Sequence, residues 1–444
     1  MRLRTRSAGF LALVATLALV GAACGNGGGP GSSPTPSTSG GGQNLKGQKV
    51  TVVAVWGGSE QTNFEKVLKA FEDKTGATVE YTSSGSADLT TFIGSKIQGG
   101  SPPDVAMLPN PGLLADFASK GNLKPIDDIA GDLVDQNFAP AWRDLGSYQG
   151  KLYAVFFKGA NKSTFWYNKH VFDQAGVQPP SDWPGLQDVA STISDAGFTP
   201  LAFDGGSGWP LTDWFENVYL RTAGPDMYDK LTKHEIPWTD PSVTTALQTL
   251  AQVWSHADWQ LGGVNGSLQA QFPDNADKLG ANPPKVGLYY EGDFLGGIIS
   301  ADAKAKLGTD IDFFDFPAVN GSQPAVVGGG DAAVLFTDNE AAKELIKFLA
   351  SPEAPVPWIQ AGGFSSPNKN VDPTTYPDEI TQRSAVALAN ASVFRFDMSD
   401  LEPAAFGGTT GQGMFKAFQD LLKNPSDISA VQDELESSAK QAFG

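Results

Sequence analysis

Large aromatic side chains stand beside carboxylates in two glycine-rich stretches of the chain. The string DGGSGWPLTDW contains Trp209, Asp213 and Trp214, and the string KVGLYYEGDFLGG contains Glu291 and Phe294. A flat aromatic face packs against the apolar side of a sugar ring, while acids and amides satisfy its hydroxyls, which are costly to bury without partners. These residue types therefore predict a binding site for a neutral oligosaccharide.

Further candidate residues lie where predicted strands end. Trp56 ends the apolar run KVTVVAVW, and Ser84 follows a second strand. Asp88 lies in the first turn of the next helix, and Asn110 follows a third strand. Ligands bind outside the carboxyl ends of parallel strands, so we expect these side chains to contact the same ligand. The alternative is structural, with Trp56 in the core and Ser84 as a helix cap.

Lys158 and Asp331 add a base and an acid to the predicted site. Lys158 directly follows the run KLYAVFF, and Asp331 follows the glycines of VVGGGDAAVLF, ahead of another strand. Both side chains can exchange hydrogen bonds with sugar hydroxyls. We therefore include both among the expected ligand contacts.

Signatures of catalysis are mostly missing from the sequence. It has no phosphate-binding loop, no zinc-protease motif and no serine-hydrolase elbow. The three histidines are scattered and there is a single cysteine, so neither a cofactor nor a metal site is predicted. One catalytic alternative stays open, because Asp213 and Glu291 could be the paired carboxylates of a glycosidase.

An alternation of strands and helices must position these residues. Strand-like apolar runs start near residues 49, 77 and 104, with amphipathic helical stretches between them. This rhythm is typical of βαβ units in an open parallel sheet. Pro111 stands where a third helix would start, a position that favours proline. The sequence therefore predicts an α/β fold.

One long extended stretch, 151–168, is interpreted as a crossing between two lobes. It contains the runs KLYAVFF and TFWYN, with Gly159 between them. The alternative interpretation is a plain β-hairpin.

Length and charge limit the classes of protein. A chain of 444 residues is too long for one ordinary domain, and 41% hydrophobic residues supply apolar material for two cores. The formal net charge of -18 makes nucleic acid and anionic membrane surfaces poor partners, because like charges repel. The only apolar run near spanning length lies at the N-terminus.

The N-terminus is interpreted as a targeting segment. Residues 1–23 combine three arginines, a short apolar run and small residues before Cys24, which is typical of a lipoprotein signal peptide. Residues 24–44 carry no charged side chain and are rich in Gly, Ser and Pro, so they predict a lipid-anchored flexible linker. The expected location is the extracellular face of the cell membrane, with the lipid as the only membrane contact. The alternative is a chance cysteine near the cleavage site of a secreted protein.

Several longer strings occur in a characteristic order. They are SPPDVAMLPNPG, GKLYAVFFKGANKSTFWYNK, GWPLTDWFENVYLRTAGPDMYDK, HEIPWTDPSV, GGGDAAVLF, GGFSSPNKNVD and FRFDMSDLEPAAFG. On these strings, residues 48–444 resemble the substrate-binding lipoproteins of bacterial carbohydrate ABC importers, the maltose-binding-protein-like group called family 1 extracellular solute-binding proteins. Within that group the chain is similar to the α-glucoside-binding branch.

The resemblance implies a two-lobed, periplasmic-binding-protein-like α/β fold. Each lobe would be a mostly parallel sheet flanked by helices, with the ligand cleft at the hinge. The first lobe would comprise residues 45–157 with 318–350, and the second lobe residues 160–317 with 352–444.

The resemblance also implies roles for particular residues. In the family, the aromatic residue at the place of Phe294 stacks on sugar, although relatives often carry Trp there. Trp209 falls in a loop that supplies another stacking face, and Asp331 matches a polar position that faces the cleft. Arg395 lies in a segment characteristic of the branch and is included among the expected ligand contacts.

The implied function is capture of an α-glucoside, such as a disaccharide, by hinge closure. The ligand would pass to a membrane permease, whose separate ATPase subunit hydrolyses ATP. A monomer is expected, because two lobes and a tether suffice. The alternatives are a receptor for another glucosylated compatible solute and an anchored glycoside-active enzyme.

Overall fold

The structure, a computed structural model, describes residues 44–85, 89–389 and 391–444. Two positions singled out by the sequence, Cys24 and Asp88, lie outside the described residues. In the part of the chain that is described, no helix combines the length and the apolar character that crossing a bilayer requires.

The described residues form twelve strands. In chain order they are β1 (Lys49–Ala54), β2 (Thr78–Ser83), β3 (Val105–Leu108), β4 (Ser147–Tyr148), β5 (Lys151–Leu152), β6 (Ala154–Asn161), β7 (Thr164–Asn168), β8 (Leu201–Ala202), β9 (Leu288–Tyr290), β10 (Ile311–Asp315), β11 (Val326–Leu335) and β12 (Phe394–Phe396).

The α-helices differ widely in length, as the strands do. They are α1 (Gly58–Thr75), α2 (Leu89–Gln98), α3 (Pro111–Ser119), α4 (Asp127–Asn137), α5 (Pro140–Leu145), α6 (Lys169–Ala175), α7 (Trp183–Asp195), α8 (Trp209–Ala223), α9 (Pro225–Thr232), α10 (Pro241–Trp254), α11 (Gly263–Gln269), α12 (Ala276–Leu279), α13 (Leu295–Ile298), α14 (Glu340–Leu349), α15 (Val356–Ile359), α16 (Glu379–Ala389), α17 (Met398–Leu401), α18 (Ala404–Gly407), α19 (Gly413–Lys423) and α20 (Ile428–Phe443).

The predicted alternation of strands and helices is confirmed at the start of the fold. β1 pairs in parallel with both β2 and β3, and α1 is followed by Gly76, whose φ of 79° is left-handed. α3 begins with Pro111, as predicted. The first sheet has the order β12-β11-β3-β1-β2, with β6 also paired to β11.

The stretch 151–168 crosses between two sheets. β6 pairs with β11 of the first sheet, whereas β7 pairs with β9 and β10 of the second. β6 and β7 are therefore consecutive but do not form a hairpin with each other, which favours the interpretation as a crossing. This arrangement agrees with the two-lobed α/β fold.

The second sheet differs from the mostly parallel sheet that was expected. Its order is β10-β7-β9-β8, and both pairings of the central β7 are antiparallel. Only β8 and β9 are parallel. The partners of β7 come from strands more than 100 residues further along the chain, and their direction cannot be deduced from local periodicity.

The cores follow the two sheets, with differences from the predicted segments, and one of these is that Phe396 of β12 packs in a core of the first sheet. Val50 and Val52 of β1 are buried in a hydrophobic core of the first sheet. The same core includes Trp358 and Phe364. Those two residues had been assigned to the second lobe. The lobe boundaries stay a prediction, and this packing argues for moving the last one beyond residue 364.

Candidate functional site

Three aromatic rings form a continuous wall next to the crossing strand. The ring of Trp209 lies 5.1 Å from Phe272 and 6.1 Å from Phe294, and Phe272 lies 5.5 Å from Phe294, measured between centroids. All three rings are half-buried and keep partial solvent access. We call Trp209, Phe272 and Phe294 the aromatic wall.

Glycine geometry places Trp209 at the start of α8. Gly208 has a φ of 84°, which strongly favours glycine, and a Cβ there would lie 2.7 Å from the ring of Phe415. Pro210 follows in the first turn, where its missing N–H costs nothing. The chain therefore turns sharply and presents the indole at the helix N-terminus.

Lys158 joins the aromatic wall to the first sheet. Its ammonium donates to Glu60 Oε1 at 2.6 Å and lies 5.3 Å from the Phe294 ring. It also lies 5.5 Å from the Trp56 ring and 4.9 Å from Trp358. These cation–π contacts surround a side chain that is only 4% exposed.

Asp331 lies directly opposite Lys158 in the pairing of β6 with β11. The β-bulge between Asp331 and Ala332 shifts the register there. Burial raises the pKa of Asp331 to about 6, the nearby charge of Lys158 opposes the rise, and Glu60 adds to it. Burial lowers the pKa of Lys158, but Glu60 and Asp331 outweigh it and the net pKa is raised.

A second ammonium lies at the other end of the aromatic wall. Lys162 Nζ is 5.3 Å from the Trp209 ring and 3.4 Å from Asp213 Oδ1. It also donates to Asp397 and lies 3.6 Å from Asp400 Oδ2. We call these four charged residues, Lys162, Asp213, Asp397 and Asp400, the Lys162 cluster.

Glu291 is buried without a hydrogen-bond partner. The residue is 1% exposed, and neither carboxylate oxygen has a partner among the described residues. Burial raises the pKa of Glu291 well above its usual value, with Asp204 adding to the rise and Lys162 opposing it. An isolated buried carboxyl is costly, so a ligand hydroxyl would relieve this cost.

Two further polar groups share this condition. Asn161 Nδ2 and Ser84 Oγ are buried and lack hydrogen-bond partners within the described ranges. The backbone oxygen of Asn161 accepts from Asp293 N at 2.9 Å, so its side chain starts beside the turn that carries Glu291 and Phe294. Both groups remain candidates for a ligand contact.

A buried group of three carboxylates could in principle hold a metal ion. Asp213, Glu216 and Asp397 each offer an oxygen within 4.8 Å of the others. Glu216, however, already accepts from the backbone N–H groups of Met398 and Ser399. Asp397 is paired with Lys162, as described above, so these donors fit a protein-internal network better than a metal.

The structure brings together Lys158, Trp209, Asp213, Glu291, Phe294 and Asp331 around the crossing, through the contacts described above. Two of the predicted aromatic contacts are buried. Trp214 is 1% exposed and packs against Phe203 and Tyr290, so it belongs to the core. Trp56 is 4% exposed and is held edge-on by Trp358, which agrees with the structural alternative of a core residue, and its stacking on ligand stays a prediction.

Two of the predicted polar contacts also have structural partners. Arg395 forms a bidentate ion pair with Asp229, with distances of 2.6 and 2.9 Å. Asn110 Oδ1 accepts from Leu113 N at 2.6 Å and thereby caps α3. The sequence strings did not reveal these structural contacts, and a ligand contact of either side chain stays a prediction.

Sequence reasoning missed Glu60, Phe272, Lys162 and Asp400 as neighbours of the site. A signal for Lys162 was present: it lies four residues after Lys158 in an extended stretch, and alternate residues of a strand face the same side. Asp400 lies in the string FRFDMSDLEPAAFG, which carried part of the resemblance. Phe272 had no local signal, because only the fold brings it to Trp209.

The fold has two sheets flanked by helices, and the chain crosses from one sheet to the other. A partly open aromatic and acidic site lies beside this crossing. These features are those of a two-lobed solute-binding protein. Comparison with known sequences identifies the family. The profile of the bacterial extracellular solute-binding proteins matches residues 57–354, and the chain belongs to this family.

Two relatives align over most of their length. The chain is 34% identical to the osmoprotective compounds-binding protein GgtB of Synechocystis sp., over 83% of this chain and 88% of that protein. It is 35% identical to the alpha-glucosides-binding periplasmic protein AglE of Rhizobium meliloti, over 82% of each chain.

Solved structures agree with the fold. The bacterial solute receptor AcbH, described as preferring β-D-galactopyranose, superposes with a TM-score of 0.79 at 24% identity, over 89% of this chain and 100% of that chain. A chitin oligosaccharide binding protein superposes with a TM-score of 0.76 at 19% identity, over 89% of this chain and 98% of that chain.

Proposed function

We propose that this protein is the extracellular receptor of a carbohydrate ABC importer and binds a neutral sugar without altering it. One observation carries the proposal: Glu291 is a buried carboxyl with no partner among the described residues, and it stands in the turn that ends in Phe294 of the aromatic wall. Sugar hydroxyls supply the missing partners, and the wall supplies the apolar face.

The proposed ligand is an α-glucoside of about disaccharide size, or an osmoprotective glucoside. This class is taken from the relatives named for alpha-glucosides and for osmoprotective compounds. The proposed contacts are Glu291, Phe294 and Trp209, with Lys158 and Asp331 on the side of the first sheet. Asp88 stays a proposed contact on the sequence argument alone.

Binding is proposed to shift an equilibrium between open and closed lobes. The ligand favours the closed state because groups from both sheets contact it only there. Ser59 Oγ of α1 lies 3.4 Å from Asp302 Oδ2, which is in the segment after α13. This contact is proposed to join the two sides of the cleft in the closed state. The lobes are proposed to comprise residues 45–157 with 318–350, and 160–317 with 352–444, except that the packing of Trp358 and Phe364 favours a last boundary beyond residue 364.

Delivery is proposed to occur by docking of the closed monomer on a membrane permease, with ATP hydrolysis by a separate subunit. Anchoring is proposed through an acylated Cys24 on the extracellular face of the membrane, after removal of residues 1–23. Expression of wild type and Cys24→Ser tests the anchor. Wild type should fractionate with membranes and the variant should be released, whereas release of both would contradict anchoring.

The test of binding is calorimetry of the purified protein with maltose, trehalose, sucrose and glucosylglycerol. We expect saturable binding of one sugar per chain, and chromatography afterwards should recover that sugar intact. Absence of heat with every sugar would contradict a receptor for this class. Recovery of cleaved sugar would instead support the glycosidase alternative, with Asp213 and Glu291 as its carboxylates.

A further inference from the structure

The Lys162 cluster has no place among the residues that the sequence predicted, apart from Asp213. Its members differ in exposure: the side chains of Asp213 and Asp397 are 2% and 1% exposed, whereas those of Lys162 and Asp400 are 11% and 18% exposed. The first pair is therefore closed off, and the second pair faces the side that retains solvent access.

Hydrogen bonding distinguishes Asp397 from Asp400. Asp397 is engaged three times, since it accepts from Lys162, from Ser399 Oγ at 2.8 Å and from Asp400 N at 3.0 Å. Asp400 Oδ2, in contrast, lies 3.6 Å from Lys162 Nζ, which is too far for a hydrogen bond. The carboxylate of Asp400 is thus placed by the Lys162 charge but retains acceptor capacity.

The position of Lys162 links this pair to the aromatic wall. Its ammonium has three donors and lies 5.3 Å from the Trp209 ring. Trp209 and Asp213 are four residues apart in α8, so both lie on the same helix face. Asp213 and Asp397 therefore hold Lys162 beside the indole, where one of its donors remains available.

We propose that Lys162 and Asp400 determine ligand specificity by reading hydroxyls of the sugar ring that packs against Trp209. Lys162 Nζ donates to one hydroxyl and Asp400 accepts from the same or a neighbouring one. Asp213 and Asp397 are positioning residues, which act through Lys162. This inference rests on the proposed function and adds two side chains to its site.

Specificity is expected because a buried polar group costs much more free energy without a hydrogen-bond partner than with one. A site that is built to pair with a hydroxyl rejects an analogue without it, because the donor and acceptor are then left unpaired. An ammonium and a carboxylate side by side match a hydroxyl, which both accepts and donates. A sugar that lacks this hydroxyl should therefore bind much more weakly than the parent.

The first experiment measures the affinity of the full chain and its variants by calorimetry. The probe is whichever of maltose, trehalose, sucrose and glucosylglycerol binds wild type most tightly, and the variants are Asp400→Asn and Lys162→Met. Asp420→Asn is the control, since that side chain is 44% exposed and pairs with Lys416. Asp400→Asn should weaken binding at least tenfold with an unchanged thermal midpoint of the free protein, and the control should stay within twofold.

The second experiment distinguishes reading of a hydroxyl from a structural effect. Monodeoxy analogues of the same sugar are titrated into wild type and Asp400→Asn. One analogue should bind wild type at least fivefold more weakly than the parent sugar does. This difference in affinity should disappear in Asp400→Asn. Should Lys162→Met fail to fold because its buried acids lose their counter-charge, Asp400→Asn still decides the matter.

The outcomes separate this inference from the proposed function. If wild type binds none of the sugars, both fail. If wild type binds but Asp400→Asn has the same affinity, or if no deoxy penalty changes in the variant, the specificity role of the pair is wrong while the receptor function stands.

Discussion

Glu291 shows most clearly how a single residue in this protein is explained by its ligand. Neither carboxylate oxygen has a hydrogen-bond partner among the described residues, although the residue is 1% exposed. Such a group destabilises the unliganded fold, and it is therefore expected to have a functional role. Its identity as a candidate could be predicted from the sequence, but its lack of a partner could not.

Substitution of Glu291 by Gln tests this residue. We expect sugar affinity to fall about tenfold, because the amide offers one acceptor oxygen instead of two. The thermal midpoint of the free protein should stay unchanged or rise, because the costly buried carboxyl is removed. Glu340→Gln is the matched control, since that side chain is 65% exposed. Calorimetry that finds equal affinity for Glu291→Gln and wild type would disprove the assignment.

Trp209 and Trp214 make a contrasting pair. Trp209→Ala should lower sugar affinity at least tenfold and change stability less, because the ring is half-buried. Trp214→Ala should reduce the free energy of unfolding by about 3–5 kcal/mol, as expected for an aromatic residue of the core. Urea unfolding and calorimetry measure both effects. Unchanged affinity in Trp209→Ala would remove the aromatic wall from the site.

Helix geometry explains why the sequence separated these two tryptophans poorly. Both lie in α8, but at about 100° per residue Trp214 is rotated roughly 140° from Trp209, whereas Asp213 is only about 40° away. The sequence shows a cluster of chemically suitable residues, and only the packing of α8 decides which of them reach the site.

At the scale of elements, a close glycine contact holds α13 against the loop that follows α15. A Cβ on Gly363 would lie 2.7 Å from the Cα of Gly297, and Gly363 has a φ of 68°. α13 directly follows Phe294, so this contact also fixes the end of the aromatic wall.

Gly363→Ala should therefore destabilise the protein more than Gly411→Ala. Gly411 has a φ of 75° but nothing within 4 Å of its Cβ position, so it isolates the backbone cost from the steric one. The steric part should add about 1–3 kcal/mol, as in other overpacked sites. Equal free energies of unfolding for the two variants would show that the contact with Gly297 is unimportant.

Some strand pairings could be predicted from the sequence and others could not. The parallel β1, β2 and β3 have local periodicity and capping signals, and their prediction is confirmed. The antiparallel pairing of β7 with β9 and β10 depends on distant segments, so no local pattern predicts it. The crossing was visible in the sequence because two extended runs follow each other directly, but it lies between β6 and β7, whereas Gly159 is inside β6.

At the scale of the whole molecule, buried acids make stability depend on pH. Burial raises the pKa of Asp204 to about 7 and that of Asp331 to about 6. In an unfolded chain an aspartate titrates at about 4. The folded protein therefore holds more protons than the unfolded chain between about pH 4 and pH 7, and its stability falls as pH rises through that window.

Urea unfolding at pH 5.5 and pH 7.5 tests this linkage. The free energy of unfolding should be larger at pH 5.5, and Asp331→Asn should reduce the difference because one raised pKa is removed. A free energy that increases from pH 5.5 to pH 7.5 would contradict the assigned pKa directions.

The most direct test of the central claim is a crystal structure of the protein with its tightest-binding sugar. We expect an intact sugar ring packed on Trp209 and Phe294, with a hydroxyl donating to Glu291. Density for the sugar away from the aromatic wall, or for a cleaved product within it, would contradict the account.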